Sequence, residues 1–354
     1  MYTAYALTGH RRENLPLGRA RRLEQQACQT QLLPENGSFA EARFNFSSFV
    51  SVVCFDQCNL LVTDTYNRRI RLIDFQTETV RTIATKTLFT FPAGVVCLSD
   101  GTVFVCDYSW NCIRCINSKT NLVTTLAGSL KEGHADGIGE DAQFNSPCKL
   151  VHRDGFLYVS DEANQCIRCI NIKTRAVTTI AGIPKKKGFQ DGAANEAMFD
   201  QPQGLAFDTD GNLLVCDFNN WRIRRIDLKK KLVRTVAGNG EYKTVDGSAL
   251  QASFEQPISI VSDSMGNLII SERYNGLRRL DARTGYVSTV THVDGCYLYI
   301  HCCDEFDRLY GIQMDRIVCV RSEQSVQLYV NKALTSLISV LPSGILRMIA
   351  NYSL

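Results

Sequence analysis

Short apolar runs alternate with turn residues along most of the 354-residue chain. In residues 202–238 these runs are GLAFD, NLLVCD, RIRRID and LVRTVAG, and the segments between them are DTDGN, FNNW and LKKK. Runs this short, rich in leucine and β-branched residues and separated by Gly, Asn and Asp, are typical of strands in an antiparallel meander. None has the 3.6-residue periodicity of a helix. The segment therefore predicts four strands joined by tight turns.

This four-strand unit is repeated along the chain. Four prolines begin successive units at intervals of 55 residues: Pro92, Pro147, Pro202 and Pro257. Repeated four-stranded units are typical of β-propeller blades, which bury their faces by stacking around a ring.

In every unit an acidic residue ends the second run and an arginine follows in the third. The pairs are Asp64 and Arg71, Asp107 and Arg114, Asp161 and Arg168, Asp217 and Arg224, and Glu272 and Arg278. Five copies suit a repeated structural role better than a single function. We therefore expect each carboxylate to accept hydrogen bonds from backbone N–H groups of the following turn, supported by its arginine.

The units resemble the NHL repeat. The matching segments are PQGLAFD, DGNLLVCD, NNWRIRRID and VRTVAG in the fourth unit, and DGFLYVSD, NQCIRCIN and VTTIAG in the third. The resemblance covers about residues 36–290. It implies a β-propeller, most often six-bladed, that binds protein, RNA or carbohydrate, with enzymes as a minority of relatives. Trp110 departs from the repeat, since the other units have Asn67, Asn164, Asn220 and Asn275 at its position.

Three parts of the chain differ in pattern. Residues 1–33 are Arg-rich and poor in apolar residues, and we expect them to be flexible. Residues 34–330 are expected to form the propeller, with a degenerate last blade because the repeat weakens after Thr289. Residues 331–354 have the apolar spacing of helices. The predicted fold is all-β: a six-bladed β-propeller of NHL-type repeats with four-stranded blades, plus a short C-terminal helical segment. Five blades are the alternative.

The C-terminal segment LPSGILRMIANYSL also resembles the start of an F-box, although Gly344 replaces the usual acidic residue. That resemblance implies a helix that binds a ubiquitin-ligase adaptor. The interaction candidates are Leu341, Pro342, Leu346 and Ile349. The alternative is a helix that packs against the side of the propeller.

Cysteine use and hydropathy indicate the cellular compartment. The chain has 15 cysteines, an odd number, and shows neither a signal peptide nor an apolar stretch of spanning length. We therefore expect a cytoplasmic protein with free thiols and no membrane partner. Two CIRC segments, residues 112–115 and 166–169, have the spacing of zinc ligands. Residues i and i+3 of a strand point to opposite faces, so we expect no metal there, and no cofactor.

Net charge argues against bulk attraction to nucleic acid. The chain carries +3, and residues 1–30 alone have five arginines against two glutamates. The remainder is therefore neutral overall, and lacks the basic field that draws a protein to RNA or DNA. RNA binding stays an alternative.

The loops between the second and third strands are the best candidate for a binding surface. They place aromatic and arginine side chains around one rim: Tyr66, Arg68, Tyr108, Trp110, Phe218, Trp221, Arg222, Arg273 and Tyr274. Such residues in exposed loops form interface hot spots, although large rings in tight turns also cover neighbouring blades. We expect a monomeric, non-enzymatic scaffold that presents this face to a protein or peptide. The alternatives are an RNA-binding propeller, a ubiquitin-ligase substrate adaptor and a propeller enzyme of the lyase or lactonase type.

Overall fold

The structure, a computed structural model, describes residues 2–6, 36–39, 42–56, 59–84, 89–291, 298–303, 308–313 and 316–322. Within these residues the regular structure consists of strands and short 3₁₀ helices, with no α-helix. The 3₁₀ helices are Tyr108–Trp110, Gly139–Asp141, Glu162–Asn164 and Phe218–Asn220. The chain is therefore all-β over its described length.

The strands form five blades and one closing sheet. Blade 1 contains β2 (Gly37–Ser38), β3 (Val52–Asp56), β4 (Asn59–Asp64), β5 (Arg69–Asp74) and β6 (Thr79–Ile83). Blade 2 contains β7 (Pro92–Cys97), β8 (Thr102–Asp107), β9 (Cys112–Asn117) and β10 (Leu122–Ala127). Blade 3 contains β11 (Gly137–Ile138), β12 (Pro147–Arg153), β13 (Phe156–Asp161), β14 (Cys166–Asn171) and β15 (Ala176–Ala181).

Blade 4 contains β16 (Gly192–Ala193), β17 (Pro202–Phe207), β18 (Leu213–Asp217), β19 (Arg222–Asp227) and β20 (Leu232–Ala237). Blade 5 contains β21 (Gly247–Ser248), β22 (Pro257–Ser262), β23 (Leu268–Glu272), β24 (Gly276–Leu280) and β25 (Tyr286–Thr291). The closing sheet contains β1 (Tyr2–Ala6), β26 (Leu298–Cys303), β27 (Leu309–Gln313) and β28 (Arg316–Ser322).

The inner strands form a ring. Strands β3, β7, β12, β17, β22 and β26 each contact the next, and β26 contacts β3 again. An apolar cluster fills the space between each pair of adjacent sheets. For example, Phe104 and Ile113 of blade 2 pack with Phe144, Leu157 and Val159 on the blade 3 side. Stacking thus buries the faces that a single blade leaves open.

The predicted fold class is wrong in three respects. Five blades follow the repeat, not six. Four of them have five strands instead of four, because a two-residue strand joins the outer edge of blades 1, 3, 4 and 5. The sheet that completes the ring is not a degenerate copy of the repeat, since its outer strand β1 pairs with β28 in the register Tyr2↔Ser322 to Ala6↔Val318. The predicted C-terminal helices, with Leu341, Pro342, Leu346 and Ile349, lie outside the described residues.

The N-terminal segment also differs from expectation. We predicted residues 1–33 to be flexible, but Tyr2–Ala6 form the outer strand of the closing sheet. A strand that pairs with a partner more than 300 residues away leaves no local pattern in the sequence.

The acid–arginine pairs are structural, as predicted. In blades 1, 3, 4 and 5 the two side chains are fully buried and lie 2.6–3.2 Å apart. The backbone donors differ from the prediction. Each carboxylate accepts the N–H of the residue that follows a buried phenylalanine ahead of the inner strand, at 2.7–3.1 Å. The pair therefore ties the lead-in of each blade to its second and third strands.

Blade 2 has this phenylalanine as well, although we predicted only Phe91-Pro92 there. Phe89 stands three residues before Pro92, as Phe144 stands before Pro147, and is 2% exposed. Thr90, which follows Phe89, donates its N–H to Asp107. The Phe-x-x-Pro spacing could have revealed it.

Candidate functional site

The loops between second and third strands are stiff turns on one face of the ring. In blades 2, 3 and 4 each is a 3₁₀ helix that ends at a residue with a left-handed backbone: Asn111 (φ 52°), Gln165 (φ 59°) and Trp221 (φ 55°). Blade 5 has Gly276 there. A left-handed tryptophan costs about 1–2 kcal/mol relative to glycine. The bulky ring of Trp221 therefore requires a compensating reason to occupy this position.

Six side chains from blades 4 and 5 and their lead-ins form a continuous surface, which we call the aromatic ridge. Its members are Phe189, Trp221, Arg222, Tyr242, Arg273 and Tyr274. The guanidinium carbon of Arg222 lies 3.9 Å from the centroid of the Phe189 ring. The Trp221 and Tyr242 ring centroids are 5.3 Å apart. The guanidinium of Arg273 lies 5.4 Å from the Tyr274 ring.

Three rings of the ridge are largely exposed. Phe189 is 43%, Tyr242 46% and Tyr274 39% exposed. Arg222 is held in place by carbonyl acceptors, Asn220 O at 2.9 Å and Asn239 O at 2.8 Å. The ridge thus presents apolar area on fixed side chains, which is the arrangement typical of an interface core.

The predicted residues of blades 1 and 2 have other surroundings. Tyr66 and Tyr108 are half-buried and contact Phe91, at ring-centroid distances of 5.8 and 5.5 Å. Phe49 packs on Tyr108 at 4.9 Å. Packing between the two blades accounts for these rings.

The other three predicted residues outside the ridge also differ from one another. Arg68 is exposed. Trp110 is 39% exposed, with Arg114 over its ring at 4.6 Å. Phe218 is 4% exposed and packs with Ile258 and Tyr299, so it belongs to the core.

Sequence reasoning missed Phe189 and Tyr242 because it considered only the second–third strand loops. Both residues lie in the lead-ins between blades, in the segments KGFQDG and EYKTVDG. The lead-ins emerge on the same face as the loops. An aromatic residue ahead of the repeated Asp-Gly was the available signal.

A buried carboxyl lies where the loops meet the channel. Glu162 is 4% exposed and accepts a hydrogen bond from Gln203 Nε2 at 3.0 Å. Its Oε2 has no hydrogen-bond partner among the described residues. Burial raises the pKa of Glu162 to about 7, while Gln203, Tyr108 and Arg273 act in the opposite direction. A carboxyl that titrates near neutral pH can gain or lose a proton under cellular conditions.

The central channel contains a cavity of about 260 Å³. Its lining includes Ser51, Lys149, Ser259 and His301. Lys149 is 7% exposed and donates to the carbonyls of Phe49, at 3.3 Å, and Val50. Burial lowers the pKa of Lys149 to about 8. The ammonium group therefore crosses from blade 3 to blade 1 and narrows the channel.

His301 faces the same cavity. Its Nδ1 lies 3.5 Å from Ser259 Oγ, and its buried Nε2 has no hydrogen-bond partner among the described residues. Burial, followed by the charge of Lys149, lowers the pKa of His301 well below its usual value. The imidazole is accordingly neutral at physiological pH.

Within the described ranges, no group of three or more His, Cys, Asp or Glu side chains is placed to hold a metal ion. In each CIRC segment the first cysteine is buried and the second half-buried, and all four thiols are free. No helix among the described residues is both long and apolar enough to cross a membrane.

Comparison with known proteins relates the chain to one family. A family model described as NHL repeat matches residues 199–226. The chain is 30% identical to NHL repeat-containing protein 2 of Bos taurus over 176 residues, covering 46% of this chain and 24% of that protein. It is 34% identical to Protein SUPPRESSOR OF QUENCHING 1, chloroplastic, of Arabidopsis thaliana over 154 residues, covering 41% of this chain and 14% of that protein. The chain thus spans a quarter or less of the length of these relatives.

Solved structures show the same fold in proteins with little sequence similarity. A gluconolactonase from Xanthomonas campestris matches with a TM-score of 0.55 at 18% identity, over 74% of this chain and 81% of that one. A virginiamycin B lyase from Staphylococcus aureus matches with a TM-score of 0.52 at 13% identity, over 77% of this chain and 79% of that one. Identity this low shows a common fold and says nothing about the reaction.

Proposed function

We propose that this chain, an NHL-repeat β-propeller, is a non-enzymatic scaffold that binds a protein or peptide partner through the aromatic ridge. The observation that carries the proposal is the ridge itself. Phe189, Tyr242 and Tyr274 are exposed by 39–46% and adjoin arginines on a rigid ring. Aromatic and arginine side chains together supply most of the binding energy in protein interfaces.

Strain at Trp221 supports the same proposal. The turn requires a left-handed residue, and blade 5 meets the requirement with Gly276 at φ 83°. Trp221 adopts φ 55° and stacks on Tyr242. A costly backbone conformation is retained where a side chain is needed, and the need for this ring is explained by binding.

Site-specific photo-crosslinking tests the proposal. A photoreactive amino acid at position 242 or 274 should give a discrete adduct in extract from the source cells. Tyr286 is the matched control, because it is 49% exposed and begins β25 at the opposite end of the blade, in the third–fourth strand hairpin. Adducts at 242 and 274 but not at 286 support the ridge. Equal labelling at 286, or none at 242 and 274, contradicts it.

Nuclease and protease treatment of the adduct distinguishes the partner class. We expect protease to remove the adduct's extra mass and ribonuclease to leave it unchanged. The reverse result would favour the RNA-binding alternative, whose salt dependence could then be measured.

Glu162 favours a second candidate, an enzyme acting at the channel mouth. The raised pKa of about 7 that burial gives this carboxyl is suited to general acid–base catalysis. Against it stands the lack of a second group, such as a nucleophile or metal, arranged with Glu162 among the described residues. If a reaction is found, Glu162→Gln should abolish it while ridge crosslinking persists.

A further inference from the structure

The outer edges of four blades are closed by the same short contact. In blade 3, Asp136 precedes the two-residue strand β11, which pairs with β15 in the register Gly137↔Val177. The Asp136 carboxylate accepts Arg168 Nη2 at 2.8 Å, Thr179 N at 3.0 Å and Thr179 Oγ1 at 2.9 Å. An Asp-Gly segment is thus fixed by one ion pair, a threonine and two residues of β pairing.

Blades 4, 5 and 1 repeat this contact. Asp191 accepts Arg224 Nη2 at 2.6 Å and Thr235 N at 2.9 Å. Asp246 accepts Arg278 Nη2 and Thr289 Oγ1 at 2.9 and 2.8 Å. Blade 1 has the neutral Asn36, and its bond from Arg71 Nη2 is longer, at 3.3 Å. In each blade the following residue is glycine: Gly37, Gly192 and Gly247.

Blade 2 has the receiving half of this contact without the segment. Its connection from blade 1, residues 84–91, has 8 residues, whereas the connections 128–146, 182–201 and 238–256 have 19 or 20. Among the described strands, β10 is an edge strand with no neighbour on its outer side. Arg114 and Thr125 stand opposite each other, as Arg168 and Thr179 do in blade 3.

The groups that would hold the segment are correspondingly unsaturated. Arg114 donates to Thr125 Oγ1 at 2.6 Å and lies 3.9 Å from Asp107, and no second carboxylate among the described residues pairs with it. The outer-strand valine is 0–1% exposed in the other four blades, but Val123 is half-buried. Leu122 beside it is 62% exposed.

We propose that the outer edge of blade 2 binds, in trans, an extended peptide segment in which aspartate is followed by glycine. The aspartate pairs with Arg114 and Thr125, and the next two residues add a short strand to β10 at Val123 and Leu122. The covered edges of the other blades show the geometry of the bound state. This edge is separate from the aromatic ridge, so the proposal does not depend on the function proposed above.

Trp110 provides the readout. It lies against Arg114, with 4.6 Å from the guanidinium carbon to the ring centroid. The chain has two tryptophans, so Trp221→Phe leaves Trp110 as the sole fluorophore and sole indole N–H signal. Full-length protein carrying this change would be titrated with a synthetic peptide copying residues 187–197, KGFQDGAANEA.

A peptide series isolates the carboxylate. We expect saturable changes in Trp110 fluorescence and indole chemical shift with the Asp peptide. The Asn peptide should bind more weakly, as the longer contact of Asn36 indicates. The Ala peptide should bind about tenfold or more weakly, since it loses a charge-assisted hydrogen bond. No change with any peptide, or equal changes with Asp and Ala, overturns the proposal.

Two protein variants complete the test. Val123→Pro removes the backbone N–H at the position where Val177 pairs with Gly137 in blade 3, and an edge strand tolerates proline. We expect it to fold and to lose binding of the Asp peptide. Arg114→Gln should remove the preference for Asp over Asn. A folded Val123→Pro protein that binds with unchanged affinity overturns strand addition, and this result is independent of whether Arg114→Gln folds.

Discussion

Blades 2 and 3 have the same third strand, CIRCIN, at Cys112–Asn117 and Cys166–Asn171, but its arginine has different partners in the two blades. Arg168 is fully buried, with four acceptors at 2.7–2.8 Å: Asp161, Asp136 and the carbonyls of Gln143 and Ala135. Arg114 has Thr125 at 2.6 Å and Asp107 at 3.9 Å. The identical strand is therefore completed by the lead-in, which blade 2 lacks.

The aromatic partner changes with the lead-in. Arg168 lies over Phe144 at 4.9 Å, whereas Arg114 lies over Trp110 at 4.6 Å. In blade 3 the position of Trp110 is taken by Asn164, which donates to Gly133 O of the lead-in at 2.7 Å. Without a lead-in carbonyl to bind, an asparagine would have one partner fewer in blade 2. Trp110 instead covers the arginine with an apolar ring, so the exception in the repeat follows from the shortened connection.

Replacing each arginine by glutamine tests this comparison most directly. Arg168→Gln leaves the buried Asp161 without its counter-charge, and we expect it to lower the free energy of unfolding by about 3–5 kcal/mol. Arg114→Gln should cost about 1 kcal/mol, because it removes one short hydrogen bond and a long ion pair. Urea unfolding of both variants measures the difference. Equal losses would show that the lead-in contributes nothing to the arginine's role.

The contrast also marks the limit of sequence reasoning. The strands and the acid–arginine pairs were predictable because both recur with a local pattern. Strand β11 has two residues, too few for any periodicity, and β1 pairs across almost the whole chain. Four ridge residues were identified because they occupy repeat loops. Phe189 and Tyr242 were missed because proximity between a lead-in and a loop of another unit is a property of the closed ring.

The first loop residue offers a second comparison, Glu162 in blade 3 against Tyr108 in blade 2. Burial raises the pKa of Glu162 from 4.5 to about 7. Below pH 4.5 the carboxyl is protonated in folded and unfolded protein alike. Between pH 4.5 and 7 the unfolded chain releases this proton while the folded protein retains it, so stability falls as pH rises, by about 3 kcal/mol at most.

Glu162→Gln should remove that pH dependence. We expect the variant to gain stability relative to the wild type from pH 4.5 to pH 7, and to keep a constant difference from pH 7 to pH 8. Tyr108→Phe is the control and should retain the wild-type slope in this window. Denaturant unfolding at pH 5, 6, 7 and 8 provides the measurement. A Gln variant that follows the wild-type slope would show that Glu162 ionises normally in the folded state.

The smallest expected effect concerns the residue that distinguishes the two loops. Asn164 is fully buried and donates to Asp161 at 2.9 Å and to Gly133 O at 2.7 Å. Asn164→Ala leaves both acceptors short of a donor and should cost about 2 kcal/mol. Trp110→Asn restores the repeat residue in blade 2, where the matching lead-in carbonyl is missing among the described residues. It should cost about 1 kcal/mol, because Arg114 loses its aromatic cover. Thermal unfolding of the two single variants is sufficient for the comparison. A Trp110→Asn protein more stable than the wild type would mean that asparagine suits this turn without a lead-in, and that Trp110 is retained for a role outside folding.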